Sequence, residues 1–190
     1  MRLLGLTVWI VCFFWASMAS ADEICSLDRN SNEDILKCAS LSYKKTDKKL
    51  NEQYSSLISD PGFMNKRLLL EGQRAWIKYR DSNCQYRYNS ISPGREADIE
   101  KYACLTSSTS SRLIELIYLD TGTVGDGFYK SISFISVYLN NTRESILAHF
   151  ENMARHPAEN EYFKKNCELT EMLFLEERRA CLARMKFQDM

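Results

Sequence analysis

Histidine is almost missing from this chain: His149 and His156 are the only two in 190 residues. Neither has a nucleophile or a partner carboxylate at a recognisable spacing, so both read as surface side chains and no enzyme is expected. The close cysteine pairs that hold zinc are absent too, so neither metal nor cofactor is expected. There is no excess of one charge, since 25 basic residues balance 25 acidic ones. A nucleic-acid binder would show a basic surplus, and no nucleic-acid partner is expected. Glycine (7) and proline (3) are scarce, which leaves long stretches without helix breakers.

The longest apolar run lies at the start, from Leu3 to Trp15, behind the positive Arg2. A membrane span needs about 20 apolar residues, more than this run supplies. Ala19-Ser20-Ala21 places small residues where a signal peptidase reads, so residues 1–21 are expected to be a signal peptide cleaved before Asp22. Cys12 follows Val11 rather than the small residue that lipoprotein processing requires, and no lipid anchor is expected. The mature protein is expected in the periplasm or outside the cell, with no membrane insertion.

Of the seven cysteines, Cys12 leaves with the leader, and six remain. An even set in an exported chain reads as a disulfide framework. Cys84, near the end of one helical segment, and Cys104, near the start of the next, should meet across the turn between them. Cys25 can fold back onto Cys38, which leaves Cys167 with Cys181. One uninterrupted helix would hold that last pair about 20 Å apart, so the chain must bend between them. Loops of this size each contribute roughly 3 kcal/mol by restricting the unfolded chain.

The remaining punctuation is sparse: Pro61-Gly62, Pro93-Gly94, His156-Pro157 and a glycine cluster from Gly122 to Gly127. Between these marks apolar residues recur at helical spacing: Leu36, Tyr43, Leu50, Tyr54 and Leu57; then Leu69, Trp76, Tyr79 and Tyr86; then Ile99, Tyr102, Leu113 and Leu116. Ser31 or Asn32 can cap the first helix, and Glu96 and Asp98 open the third. The weakly helical run Thr106 to Ser111 falls inside that third segment.

An all-α fold is therefore expected. An antiparallel three-helix, disulfide-stapled domain spans residues 22–121, a glycine-rich linker 122–127, and a smaller, mostly helical region 128–190. Within that last region, Phe128 to Leu139 suits either a strand or a buried helix. Thr142 opens a short helix. Thr170 is expected to cap a final helix with Met172, Leu175, Leu182 and Met185 on one stripe.

Cys25, Cys38, Tyr43, Asp47, Leu50-Asn51, Tyr54, then Gln73-Arg74-Ala75-Trp76-Ile77-Lys78-Tyr79-Arg80-Asp81, Cys84 and Cys104 together resemble the LprI-type lysozyme-inhibitor family over roughly residues 25–119. The resemblance implies an exported helical domain that inhibits lysozyme-type, peptidoglycan-cleaving enzymes through a protein–protein surface. A periplasmic immunity or adaptor protein gripping a toxin or a secretion component is the alternative.

Within the signature, Tyr43, Asp47, Gln73, Trp76 and Arg80 read as structural. Trp76 lies on the buried stripe, and Asp47 can pair with Arg80 or Gln73 across the bundle. Tyr86-Arg87-Tyr88 reads as a solvated helix face. Asp28, Glu33 and Asp34 are expected to meet the basic surface of a lysozyme. Edman sequencing of the secreted protein should begin at Asp22, and thiol alkylation after unfolding without reductant should label none of the six mature cysteines.

Overall fold

Ser31 starts the first helix, its hydroxyl accepting from the Asp34 N–H at 3.2 Å. The computed structural model describes residues 25, 31–125, 127–153 and 157–188. The expected leader with its cleavage point, Asp28 and His156 lie outside them. Among the described residues there are seven helices and no strand. They are α1 (Asn32–Ser59), α2 (Lys66–Ile91), α3 (Ala97–Thr121), α4 (Gly127–Tyr138), α5 (Arg143–Asn152), α6 (Pro157–Phe174) and α7 (Arg178–Gln188).

The turns follow local chemistry. A Cβ at Gly94 would sit 2.7 Å from the Ile91 carbonyl oxygen, so the α2–α3 turn requires glycine there. Gly122 closes α3 at a φ of 68°, the left-handed cap that glycine adopts without steric cost. The serine–threonine run leaves α3 unbroken. Thr106 returns its hydroxyl to the Tyr102 carbonyl at 2.8 Å, and Ser108 and Thr109 are buried.

The ambiguous segment 128–139 is helical as α4, and Thr142 caps α5 by accepting from the Ser145 N–H. One expectation fails. Thr170 caps nothing: it lies buried inside α6, with its hydroxyl against the Cys167 carbonyl and the Cys181 sulfur. The bend comes five residues later, where Leu175 takes a φ of 56°. Met172 and Leu175 consequently leave the expected stripe for solvent, Leu175 being 89% exposed. The bend brings the Cys167 and Cys181 Cα atoms to 5.7 Å. Tyr86 likewise leaves its stripe and is exposed.

Packing sets the order of helices across the molecule as α1, α3, α2, α6. The main core draws on both sides of the glycine-rich stretch. Leu50, Leu57, Leu69, Trp76, Tyr79, Leu116 and Leu119 meet Tyr162, Phe163, Leu169 and Met185. Smaller clusters lie around the Cys84–Cys104 disulfide and between α4, α5 and α7.

A chain of polar groups runs through this core. Gln73 of α2 accepts from Arg112 Nε of α3 at 3.0 Å, and Arg112 Nη1 donates to Asn166 Oδ1 of α6 at 2.7 Å. Asn166 then donates to Glu115 Oε2 at 2.8 Å. Glu115 also pairs with Arg184 of α7, whose guanidinium grips both oxygens of Glu176 at 2.9 and 3.0 Å. The network holds two guanidiniums and two carboxylates, so its formal charges cancel, although only Arg184 contacts the carboxylates directly. The Arg112 and Arg184 guanidiniums also lie over the rings of Tyr162 and Tyr118. Burial, reinforced by the Glu176 carboxylate, pushes the Tyr118 phenol up to about 12.

Nearer the surface, Lys165 of α6 donates to Glu71 of α2 at 2.9 Å. That bond holds the Glu71 carboxyl below its ordinary range and the Lys165 ammonium above its own. A depressed carboxyl stabilises the fold at neutral pH and loses that effect as pH falls through its folded value. Carbon-detected NMR titration should give Glu71 a midpoint below that of the exposed glutamates, and Lys165→Ala should raise it. Removing one partner of the buried network is more severe: Arg184→Met should cost about 3–5 kcal/mol. Thermal unfolding followed by circular dichroism should show a midpoint lowered by roughly 6–20 °C.

Candidate functional site

The signature residues gather where α1 meets α2. The Arg80 guanidinium lies over the Trp76 ring, 4.7 Å from its centroid, and 5.9 Å from the Tyr43 ring. Its Nη1 faces Asp47 Oδ1 at 3.5 Å, while Nε donates to Asp81 Oδ1 at 2.9 Å. Asn51 Nδ2 donates to the second Asp47 oxygen at 3.0 Å. Helix spacing explains the assembly: positions 43, 47 and 50–51 share one side of α1, and 76 and 80 share one side of α2. Trp76 is buried, and Arg80 covers its outer face. Burial pushes the Tyr43 phenol up, with the nearby Arg80 charge acting the other way.

Gln73, the remaining signature position, lies elsewhere. It is buried and holds Arg112 in the core network. Asp47 therefore meets Arg80 and Asn51, while Gln73 serves a different bond. The Cys84–Cys104 disulfide, with Cα atoms 5.5 Å apart, packs beneath Tyr43 and Tyr102 and braces this end of the site.

The cluster forms the inner wall of an open groove of about 680 Å³ along α1, lined by Tyr43, Lys44, Asp47, Lys48, Asn51, Glu52 and Ser55. At the N-terminal end of the same helix, Cys25 is bonded to Cys38 with Cα atoms 5.5 Å apart. There Glu33 is exposed, but Asp34 is half-buried and accepts from the Ser31 hydroxyl at 2.7 Å. The structure thus gives Glu33 and Asp34 different surroundings, one facing solvent and one completing a helix cap.

Two surface features have no counterpart in the sequence reading. One is the run of exposed lysines at 44, 45, 48 and 49 on α1. Its doublets were visible in the sequence, but the balanced total charge hid them. The other is an apolar patch where α4 ends: Phe134, Val137, Tyr138 and Leu139 are 60–83% exposed. Beside it Ile135, Ile146, Phe150 and Met153 line a cavity of about 530 Å³, with the exposed His149 at its edge. The β-rich composition of 128–139 disguised this helix, and with it the patch.

Among the described residues no group of His, Cys, Asp and Glu could hold a metal ion, and no helix is long and apolar enough to cross a membrane. Residues 25–116 match the family described as lysozyme inhibitor LprI, a description of an inhibitor and not of a catalyst. No curated protein and no solved structure matches the chain. The matched span ends within α3 and contains Tyr43, Asp47, Gln73, Trp76, Arg80 and four of the chain's seven cysteines, Cys25, Cys38, Cys84 and Cys104. The disulfides and this family together fit an extracytoplasmic protein. Over residues 25–116, the chain is similar to the lysozyme inhibitor LprI family.

Proposed function

We propose that the protein, once its leader is removed, acts in the bacterial envelope as an inhibitor of lysozyme-type peptidoglycan hydrolases. Similarity to this family over residues 25–116 is the observation that carries this reading. The scaffold supports it physically. An inhibitor that presents a pre-ordered surface loses little conformational entropy on binding. Here the Cys25–Cys38 disulfide ties Cys25 back onto α1, and the Asp47–Arg80 pair holds the middle of α1 against α2.

The acidic start of α1 supplies a rim contact. Glu33 points to solvent and suits the basic surface of a lysozyme, with Asp28 assigned the same role and Asp34 holding the helix start. Rim charges act mainly on the association rate and its salt dependence.

A second reading, a periplasmic immunity or adaptor protein, draws on the exposed patch at Phe134, Val137, Tyr138 and Leu139, because contiguous apolar surface of this kind marks protein contacts. Phe134→Asp with Tyr138→Asp would abolish binding to a toxin encoded beside this gene under that reading, and would leave lysozyme inhibition intact under the first.

Purified oxidised protein should slow the clearing of a peptidoglycan suspension by at least one lysozyme class. Alanine at Asp28, Glu33 and Asp34 together should lower the association rate about tenfold at low salt, with a smaller effect near 0.5 M salt. No inhibition of any lysozyme class removes the inhibitor reading, and an unchanged rate removes the acidic contact.

A further inference from the structure

The chain's charges balance overall but not locally. Lys44, Lys45, Lys48 and Lys49 are all exposed within six consecutive residues of α1. Helical periodicity splits them into two flanks. Lys45 and Lys49 lie toward the side where Gln53 Nε2 donates to Asp120 of α3 at 2.8 Å. Lys44 and Lys48 lie on the other side, lining the groove beside Asp47 and Asn51.

Asp47 would ordinarily neutralise these two lysines. Both of its oxygens are already engaged, Oδ1 by Arg80 and Oδ2 by Asn51. Lys48 has Glu52 at 3.8 Å, an exposed pair of the kind that contributes little and exchanges readily. The signature residues thus leave a cationic flank facing outward on a helix they hold rigid.

Spacing identifies what this flank fits. Residues four apart on a helix have Cβ atoms about 5–6 Å apart. Glycoside hydrolases carry two catalytic carboxyl groups about 5–5.5 Å apart when retaining and about 6.5–9.5 Å apart when inverting. Flexible lysine stems span either separation. We propose that Lys44 and Lys48 enter the cleft of the inhibited hydrolase and place their ammonium groups against its two catalytic carboxyl groups. The proposal rests on the inhibitor reading above and adds the surface and the chemical group it meets.

A consequence follows for pH. The general acid of such an enzyme works protonated, with a raised pKa, about 6 in lysozyme. An ammonium within about 4–6 Å favours its ionised form. Inhibition should therefore tighten as pH rises through that value, and the tightening should depend on Lys44 and Lys48.

The test is inhibition kinetics with the oxidised mature protein, a lysozyme it inhibits and a soluble chito-oligosaccharide, between pH 5 and 8 at constant ionic strength. Lys44→Ala with Lys48→Ala should raise the inhibition constant at least about tenfold and flatten its pH dependence. Lys45→Ala with Lys49→Ala removes the same charge from the opposite flank and should change it less than about threefold. Inhibition should be competitive with the oligosaccharide. All four positions are exposed, and thermal melting of each variant verifies its fold. Equal losses from the two pairs, non-competitive inhibition, or an unchanged constant for Lys44→Ala with Lys48→Ala would overturn the proposal and leave the inhibitor reading standing. Failure of the unsubstituted protein to inhibit any lysozyme overturns both.

Discussion

Glu115 is the centre on which the packing of this molecule turns. Its carboxylate is buried in α3 and touches two elements from far along the chain, Asn166 of α6 and Arg184 of α7. A buried carboxylate without partners is costly, so α3 can occupy its place only when α6 and α7 occupy theirs. Arg184 then draws in Glu176, and that ion pair together with the Cys167–Cys181 disulfide holds the bend after Leu175. Gln73 and Arg112 extend the same logic to α2. The apolar contacts around this chain supply most of the stabilisation, but they would tolerate sliding. The directional bonds fix one register.

The signature of the family divides between two tasks. Gln73 belongs to the core network, whereas Tyr43, Asp47, Trp76 and Arg80 form a sheath where α1 meets α2. That sheath turns its aromatic and charged groups toward one another, so little of its chemistry remains for a partner. The proposed contacts lie at positions around it. The first turn of α1 and the lysine flank are displayed on a helix whose orientation the sheath determines. Motif and proposed contact surface are adjacent but distinct.

Periodicity made the three long helices, their turns and their disulfides legible, because the apolar residues that line them largely face one core. The bend between Cys167 and Cys181 was legible as a necessity, since no straight helix joins them. Its position was not, because Thr170 looks like a helix cap and Leu175 gives no sign of a positive φ. The identity of Asp47's partner was narrowed to two residues, one of which the structure uses. The polar network was hidden for a different reason. Arg112 and Glu115 sit three apart within an apolar stripe, a spacing that equally suits an exposed surface pair, and only the arrival of Asn166 and Arg184 makes burial affordable. Phe128 to Leu139 stayed open between strand and buried helix through composition: Ile, Val, Phe and Tyr favour strands on average, but here α5 and α7 provide the surface that a helix needs.

The charge pattern of α1 ties these threads together. Glu33 and Lys44 are eleven residues apart, which on a helix is about 16 Å. A lysozyme-type target presents a basic outer surface and an acidic catalytic centre, and a rod bearing acid at one end and base along its flank can match both at once. Such a match depends on α1 keeping its angular position, because rotating it by a quarter turn would turn Lys44 and Lys48 to a different side of the molecule. The Asp47–Arg80 contact opposes that rotation, since Asp47 lies between Lys44 and Lys48 in the chain and is paired with Arg80 of α2. A pair worth about 1 kcal/mol to stability can in this way fix the direction in which the proposed contact surface faces.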